Sequence, residues 1–169
     1  GKSLQVIVAA QVLFERGQID RVIVVAPAAV RSVWFDETLG ELAKHLWLPS
    51  DVTEFHARSR TWFFGDQTST RLQWIITNYD FIRSNTRLTQ LLAICGPRTL
   101  LVLDESHACK NYKAKQTRAC LQMRHNCGRV WLLTGTPIAH NPLDMYSQGR
   151  IMHDGILGCD YHHGVNRHA

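Results

Sequence analysis

The sequence predicts an α/β domain built on a parallel sheet with helices on both faces. Short apolar runs rich in β-branched residues alternate with longer amphipathic stretches, which is typical of strand–helix–strand units. Runs such as residues 22–26 and 100–103 contain no polar side chain, as expected for strands covered on both faces. With 169 residues, the chain has room for one domain with a hydrophobic core.

Periodicity and turn residues predict the order of the elements. Residues 4–12 carry apolar side chains at helical spacing, and Gly17 is a natural C-terminal cap for that helix. Strands are expected at the apolar runs, which are residues 22–26, 74–77, 100–103 and 130–133. Helices are expected at residues 30–46, between the second strand and Leu92, at 113–123, and from Asn141-Pro142, where proline suits the first helical position. Residues 51–70 are expected to be irregular, and residues 155–169 are the least defined.

The composition is that of a globular protein with a mildly basic surface. Nineteen Lys and Arg against fourteen Asp and Glu give a formal net charge of +5, which permits a polyanionic partner without requiring one. No apolar run approaches the roughly 18 residues needed to cross a bilayer. No signal peptide or lipidation motif is present, so we expect a soluble intracellular protein, cytoplasmic if bacterial or phage and nuclear if eukaryotic. The chain begins at Gly1 rather than Met, which suggests a fragment.

The cysteines favour reduced thiols over a metal site. Their number is odd and no pair has CxxC spacing; they are Cys95, Cys109, Cys120, Cys127 and Cys159. A metal site that joins Cys109, Cys120 and Cys127 with His107 and His125 is the alternative, but the spacing of these residues is not that of a zinc motif.

The first residues are consistent with the end of a phosphate-binding loop. Gly1-Lys2-Ser3 precedes a predicted helix, as in the pattern GxxxxGK[ST]. In such a loop, backbone N–H groups at the helix N-terminus bind phosphate oxygens, the lysine reaches the β- and γ-phosphates, and the hydroxyl helps to hold Mg²⁺. The tripeptide alone also occurs by chance, so it needs support from other motifs.

That support comes from two adjacent carboxylates after a buried strand. Asp104-Glu105-Ser106-His107 follows residues 100–103 directly, at the sheet edge where open α/β sheets bind ligands. Asp104 suits Mg²⁺, through water, and Glu105 suits orienting or deprotonating an attacking water. A solvated acidic loop is the alternative interpretation.

A third motif follows another predicted strand. Thr134-Gly135-Thr136-Pro137 places small hydroxyl residues where they can hydrogen-bond the acidic pair. A simple turn would have the same composition. The order of the three motifs, each at the end of a strand or the start of a helix, favours a functional site.

With these motifs, the chain resembles superfamily-two helicases and, within them, the Swi/Snf-type branch of double-stranded-DNA translocases. The resemblance covers nearly the whole chain. Its segments are Gly1-Lys2-Ser3 (motif I), residues 27–37 (Ia), residues 76–80 (Ib), Asp104-Glu105-Ser106-His107 with Lys110-Asn111 (II), and residues 134–138 with Asn141-Pro142-Leu143 (III). Motifs II and III are the most specific of these.

The resemblance implies a RecA-like three-layer fold of the P-loop NTPase type, the first of two ATPase domains, spanning residues 1–169 and truncated inside the phosphate loop. It implies ATP and Mg²⁺ as cofactors, and duplex DNA and the second RecA-like domain of the same polypeptide as partners. The implied catalytic residues are Lys2, Asp104 and Glu105. The implied nucleotide contacts are Gly1, Lys2, Ser3, Thr134, Gly135 and Thr136, and Ser3 and Asp104 serve the Mg²⁺ that accompanies the nucleotide. The implied DNA contacts are Arg31, Thr77, Asn78 and Lys110.

Two aromatic features of the chain are interpreted as structural. Trp34 is expected to be a helix-packing residue rather than a base-stacking one. The cluster Trp62-Phe63-Phe64 is expected to be buried, with base stacking as the alternative.

The function expected by resemblance is the ATP-hydrolysing half of a DNA-dependent motor. A second domain would supply the arginine finger, so we expect these residues alone to hydrolyse ATP weakly or not at all. The alternatives are another superfamily-two enzyme, such as an RNA helicase or a restriction translocase, and a scaffold that keeps the fold without turnover.

Overall fold

A five-stranded parallel sheet forms the centre of the protein. The computed structural model describes residues 1–55, 70–135 and 142–153. The strands are β1 (Arg21–Ala26), β2 (Ser50–Glu54), β3 (Leu72–Asn78), β4 (Thr99–Leu103) and β5 (Arg129–Leu132), and their spatial order is β2-β3-β1-β4-β5. The predicted parallel α/β architecture is confirmed, because every strand pair in this sheet is parallel.

Helices cover both faces of the sheet. They are α1 (Lys2–Glu15), α2 (Arg31–Phe35), α3 (Glu41–His45), α4 (Asn85–Leu92), α5 (Lys115–Asn126) and α6 (Pro142–Met152). The helices α1, α2 and α3 share one hydrophobic cluster, whereas α4, α5 and α6 share the other. None of the helices that the structure describes has the length and hydrophobicity that crossing a bilayer requires.

The central strand β1 divides the core into two halves. Its register places Val24 between Ile76 of β3 and Val102 of β4, and all three side chains join the cluster under α1 to α3. Ile23 and Val25 belong to the opposite cluster. Because successive strand residues point to opposite faces, uninterrupted apolar runs are what a sheet covered on both faces requires.

The first helix ends as its sequence predicts. Gly17 has φ +67°, in the left-handed region that glycine adopts at low cost. The Gly17 N–H donates to the Phe14 carbonyl, and the Gln18 N–H donates to the Leu13 carbonyl. This pair of hydrogen bonds is the Schellman arrangement, and it satisfies carbonyls that the end of the helix would leave unpaired.

The predicted helix over residues 30–46 is wrong in its middle, because a turn separates α2 from α3 there. Asp36 has extended backbone, with ψ 127°, and its Oδ1 accepts hydrogen bonds from the N–H groups of Thr38 and Leu39. A Cβ on Gly40 would lie 2.5 Å from the Asp36 carbonyl oxygen, so glycine is required for this close turn. Aspartate competes with helix through such local bonds.

The predicted irregular stretch over residues 51–70 is wrong at its start, because β2 pairs with β3 there. The strand is polar and largely exposed, with the sequence Ser-Asp-Val-Thr-Glu. The predicted cluster at Trp62, Phe63 and Phe64, the turn residues Thr136 and Pro137, and the tail 155–169 lie outside the described residues.

Candidate nucleotide site at the carboxyl edge of the sheet

The two adjacent carboxylates lie at the carboxyl end of β4, where a backbone turn holds them. Glu105 has φ +47° and ψ 53°, a left-handed conformation that is uncommon outside glycine. Residues in this region persist only where the surrounding structure enforces the conformation, and they cluster at functional sites.

The turn is enforced from several sides. The Asp104 N–H donates to the Val25 carbonyl at 2.9 Å, and the Ser106 N–H donates to the Leu133 carbonyl at 2.9 Å. The Ser106 hydroxyl is fully buried and donates to Gln148 Oε1 of α6 at 2.9 Å. The left-handed residue is therefore fixed between β1, the end of β5 and α6.

The start of α1 lies beside this turn. Lys2 Nζ is 3.8 Å from Glu105 Oε1, and both side chains are partly exposed. An ideal Cβ at Gly135 would lie 3.5 Å from Lys2 Nζ, so the segment after β5 also borders the lysine. The sequence-predicted residues Lys2, Glu105 and Gly135 are thus brought together. Gly1 is the N-cap of α1, and Ser3 lies in its first turn.

Asp104 is held by several hydrogen bonds. Its Oδ1 accepts the Glu105 N–H at 2.9 Å, and its Oδ2 accepts the indole N–H of Trp34 at 2.8 Å. Its carbonyl accepts the Tyr79 hydroxyl at 2.8 Å. Burial is the main cause that raises the pKa of Tyr79, so its hydroxyl stays protonated as a donor.

Trp34 and Tyr79 are site residues that sequence reasoning did not identify. The segment containing Trp34 was recognised, but the residue was interpreted as packing alone. It is indeed fully buried, and it also donates to Asp104 across 70 positions of sequence. No periodicity signals a contact of that separation.

Histidine 107 also borders the acidic pair. His107 Nδ1 lies 3.3 Å from Glu105 Oε2, so the carboxylate of Glu105 lies between the imidazole and the Lys2 ammonium. A protonated His107 would add a second positive partner to that carboxylate.

The residues predicted to contact DNA lie in different environments. Arg31 of α2 forms an ion pair with Glu54 of β2, with Nε 2.7 Å from Oε1, and its guanidinium lies 5.9 Å from the centroid of the Phe35 ring. Lys110 is exposed, and its carbonyl accepts the Ser147 hydroxyl.

Thr77 and Asn78 have internal partners at the end of β3. Thr77 is fully buried, and its hydroxyl donates to the Phe55 carbonyl at 3.1 Å. Asn78 is 8% exposed, and its Oδ1 accepts the Phe81 N–H at 2.9 Å. Direct DNA contact by these two residues stays a prediction.

Four described cysteines are free thiols, Cys95, Cys109, Cys120 and Cys127. Cys109 and Cys120 are buried, and their sulfur atoms lie 3.6 Å apart. A hydrogen bond with Cys109 is the main cause that raises the pKa of Cys120, which therefore stays a neutral thiol. Within the described ranges, no cluster of three or more His, Cys, Asp or Glu side chains could hold a metal ion by itself.

The sheet order and the two helical layers define a RecA-like α/β fold. The same fold is found in a Sulfolobus solfataricus SWI2/SNF2 ATPase core, solved in complex with double-stranded DNA. The TM-score is 0.67 at 24% identity, over 94% of this chain and 30% of that one.

Residues 1–159 match the model of the SNF2-related domain, and the chain belongs to this family. It is 30% identical over 129 residues to a Xenopus laevis SWI/SNF-related matrix-associated actin-dependent regulator of chromatin, subfamily A-like protein 1, with 75% of this chain and 12% of that protein aligned. It is 28% identical over 152 residues to the DNA repair protein rad5 of Aspergillus fumigatus, covering 77% and 11%.

These comparisons confirm the resemblance drawn from the motifs. The chain spans only about a tenth of these two curated relatives, 12% and 11% of their lengths. It therefore corresponds to one part of proteins of that size.

Proposed function

We propose that this chain is the ATP-binding part of a DNA-dependent ATPase that moves along duplex DNA. The observation that carries the proposal is the convergence at the carboxyl edge, where the start of α1, the left-handed turn at Glu105 and Gly135 meet around Lys2. In an open parallel sheet, this edge is where ligands bind.

The start of α1 is suited to phosphate. The first turn contains no acidic residue, so its unpaired N–H groups and the positive end of the helix dipole face no competing carboxylate of their own helix. In the proposed complex, Lys2 leaves Glu105 and contacts the β- and γ-phosphates, while backbone groups of residues 1–3 bind phosphate oxygens. This exchange costs little free energy, because a partly exposed ion pair at 3.8 Å contributes little to stability.

The donor set fits Mg²⁺. The candidate ligands are the Ser3 hydroxyl and the Asp104 carboxylate, both hard oxygen donors of the kind Mg²⁺ prefers. Each Asp104 oxygen accepts one hydrogen bond, which leaves capacity for a water ligand, since an ionised carboxylate has about four acceptor sites. When bound, the ion neutralises charge that develops on the phosphates.

Glu105 is proposed to act on the attacking water. Its carboxylate lies next to Lys2, and therefore next to the proposed position of the terminal phosphate. From there it orients the water and accepts its proton. Thr134, Gly135 and Thr136 are proposed to border the nucleotide and to report its state to the surface.

The proposed DNA contacts follow from charge. Arg31 and Lys110 bind backbone phosphates, which requires no base reading and suits a motor that moves over any sequence. Thr77 and Asn78 are proposed to contribute to this surface at the end of β3. The related Sulfolobus core was solved with double-stranded DNA, which supports duplex DNA as the partner.

The test measures ATP turnover by the native polypeptide that carries this sequence, without nucleic acid, with duplex DNA and with RNA. We expect duplex DNA to stimulate turnover, and Glu105→Gln to reduce the stimulated rate by about 10²- to 10⁴-fold. Stimulation by RNA alone would point to another superfamily-two enzyme. No turnover, or turnover that Glu105→Gln leaves intact, would contradict the proposal and favour a scaffold.

A matched experiment addresses the isolated chain. Residues 1–169 alone should bind nucleotide weakly and turn it over little, because an arginine finger from a second domain contributes roughly 10³ to 10⁵ in related enzymes. Turnover by the isolated chain at the rate of the native polypeptide would contradict the assignment of the finger to another domain.

A further inference from the structure

Trp34 makes a hydrogen bond that simple packing does not require. Its side chain is fully buried in the cluster under α1 to α3, and its indole N–H lies 2.8 Å from Asp104 Oδ2. Hydrogen bonds to an ionised acceptor are shorter and roughly twice as strong as neutral ones. Because Oδ2 is the acceptor, this hydrogen bond determines which oxygen of the Asp104 carboxylate faces α2.

The second tryptophan of the same cluster provides an internal comparison. Trp74 of β3 is also fully buried, but its indole nitrogen has no hydrogen-bond partner among the residues that the structure describes. Burial of an indole in this core therefore does not by itself bring its N–H to an acceptor. The contact between Trp34 and Asp104 is specific to Trp34.

The helix that carries Trp34 is anchored by contacts with two strands of the sheet. α2 has five residues, and the turn at Asp36 ends it sharply. At its first residue, Arg31 is paired with Glu54 of β2, and three positions later Trp34 is bonded to Asp104 after β4. One short helix thus contacts the ends of two strands on opposite sides of β1.

Asp104 needs such a hold, because the carboxylate of an aspartate is free to rotate about its terminal torsion, which has only broad preferences. Its Oδ1 is fixed by the Glu105 N–H, and Trp34 is the side chain that fixes Oδ2. Mutating the partners that orient a metal-binding carboxylate typically costs about 10- to 100-fold in metal affinity.

We propose that Trp34 is a positioning residue that holds the Asp104 carboxylate in the orientation that serves Mg²⁺ of the bound nucleotide. The inference rests on the proposed function, in which Asp104 is the magnesium carboxylate. Trp34 itself touches neither nucleotide nor metal and acts through Asp104.

The test is a double-mutant cycle on magnesium-dependent nucleotide binding. Binding of fluorescent N-methylanthraniloyl-ADP is measured at increasing Mg²⁺ concentrations. The proteins compared are the native polypeptide, Trp34→Phe, Asp104→Asn and the double variant. Phenylalanine keeps the aromatic ring and removes the donor. We expect Trp34→Phe to raise the Mg²⁺ concentration at half-maximal binding by about tenfold or more. In the Asp104→Asn background, the same substitution should change it by less than about twofold, because the shared partner is gone.

Trp74→Phe is the matched control, since it also removes a buried indole N–H but none that reaches Asp104. It should leave the Mg²⁺ dependence unchanged, even if it lowers the melting temperature. Equal effects of Trp34→Phe in both backgrounds, or an equal effect of Trp74→Phe, would overturn the proposal and reduce Trp34 to packing.

The same titration separates the inference from the function on which it rests. If the native polypeptide binds nucleotide with a Mg²⁺ dependence that Asp104→Asn weakens, the proposed role of Asp104 stands, and the cycle judges Trp34 alone. If Asp104→Asn has no effect, the assignment of Asp104 fails first, and the inference fails with it.

A second measurement applies if Trp34→Phe does not fold. This chain has five tryptophans. In a native polypeptide isotopically labelled only over these 169 residues, phenylalanine substitutions at Trp47, Trp62, Trp74 and Trp131 assign four indole N–H resonances, and the fifth belongs to Trp34. That resonance should shift in Asp104→Asn and when Mg²⁺ is added to the nucleotide complex. A resonance that responds to neither change would contradict the proposal.

Discussion

At the amino edge of the sheet, neighbouring loops hold the charged side chains, whereas at the carboxyl edge Lys2 and Glu105 are only loosely paired. Arg21 is 5% exposed, and its guanidinium donates to Gln73 Oε1 and to the Ile94 carbonyl. Arg98 donates to Asp20 at 3.0 Å, and Arg129 donates to the Gln18 side chain at 3.0 Å. At the other edge, Lys2 and Glu105 are 3.8 Å apart, and Glu105 occupies a left-handed backbone conformation.

The difference distinguishes charged groups that stabilise the fold from charged groups that are available to a ligand. Groups whose donors are already occupied stabilise the fold and have little left for a ligand. Groups held in place by the backbone, with weak side-chain partners, can exchange those partners for phosphate or water. The comparison therefore predicts which substitutions affect turnover and which affect stability.

Among the basic side chains at the two edges, Lys2 at the carboxyl edge should give the largest effect when it is replaced, as in Lys2→Met. With Lys2 in its proposed contact with the phosphates, removing its charge should lower the DNA-stimulated rate of ATP hydrolysis by about 10²- to 10³-fold, the range found when a preorganised donor is lost. Steady-state kinetics of the native polypeptide measure this. Arg98→Met is the control, because it removes a similar cation at the amino edge, and its rate should stay near the native value. A similar loss in both variants would remove the distinction between the edges.

Arg21→Met should give the converse result. It removes the Arg21 donor from a buried acceptor at Gln73 and from a partly buried one at Ile94, which is expected to lower the free energy of unfolding by about 1–3 kcal/mol. Urea denaturation measures the loss. The ATPase rate per folded molecule should be unchanged. A fall in that rate with normal stability would contradict the assignment of the active site to the carboxyl edge.

How much of this could be read from the sequence depended on how local the signal was. β1 and β4 are apolar after their first residues, Arg21 and Thr99, and were predicted nearly to the residue. The acidic pair was placed by the strand that precedes it. β2 was missed because it is a polar strand at the edge of the described sheet, so its residues show neither an apolar run nor clear alternation.

Contacts between distant segments were beyond the sequence. The bond between Trp34 and Asp104 depends on packing α2 against the sheet, and the pair Arg31–Glu54 depends on the missed strand β2. The break at Asp36 had a local signal, an aspartate four residues before a glycine, but the helical periodicity of the flanking residues outweighed it.

Glu54→Gln should have a smaller effect, in the direction of tighter DNA binding. In the proposed complex, a DNA phosphate competes with Glu54 for Arg31, so neutralising the carboxylate favours the phosphate. The dissociation constant for duplex DNA should fall by about two- to fivefold, in line with the modest worth of partly exposed ion pairs. Fluorescence anisotropy measures it. In an Arg31→Gln background, the effect should vanish, and its persistence would mean that Glu54 repels DNA without involving Arg31.

Lys110→Ala should have the smallest effect. Lys110 is exposed, and loss of one phosphate contact should reduce the slope of the logarithm of affinity against the logarithm of salt concentration by about one. Anisotropy titrations at several salt concentrations measure the slope. Lys44→Ala provides the control, because Lys44 lies on α3 and is paired with Glu41 there. An unchanged slope in Lys110→Ala would remove Lys110 from the DNA surface.

The most direct test of the account is where a bound nucleotide protects the backbone. Hydrogen–deuterium exchange of the native polypeptide, with and without Mg²⁺ and a slowly hydrolysed ATP analogue, resolves the two edges. We predict slower exchange at residues 1–5, 104–107 and 133–135, and no change at residues 18–21, 94–99 and 127–129. Protection at the amino edge, with none at the turn around Glu105, would contradict the assignment of the nucleotide site.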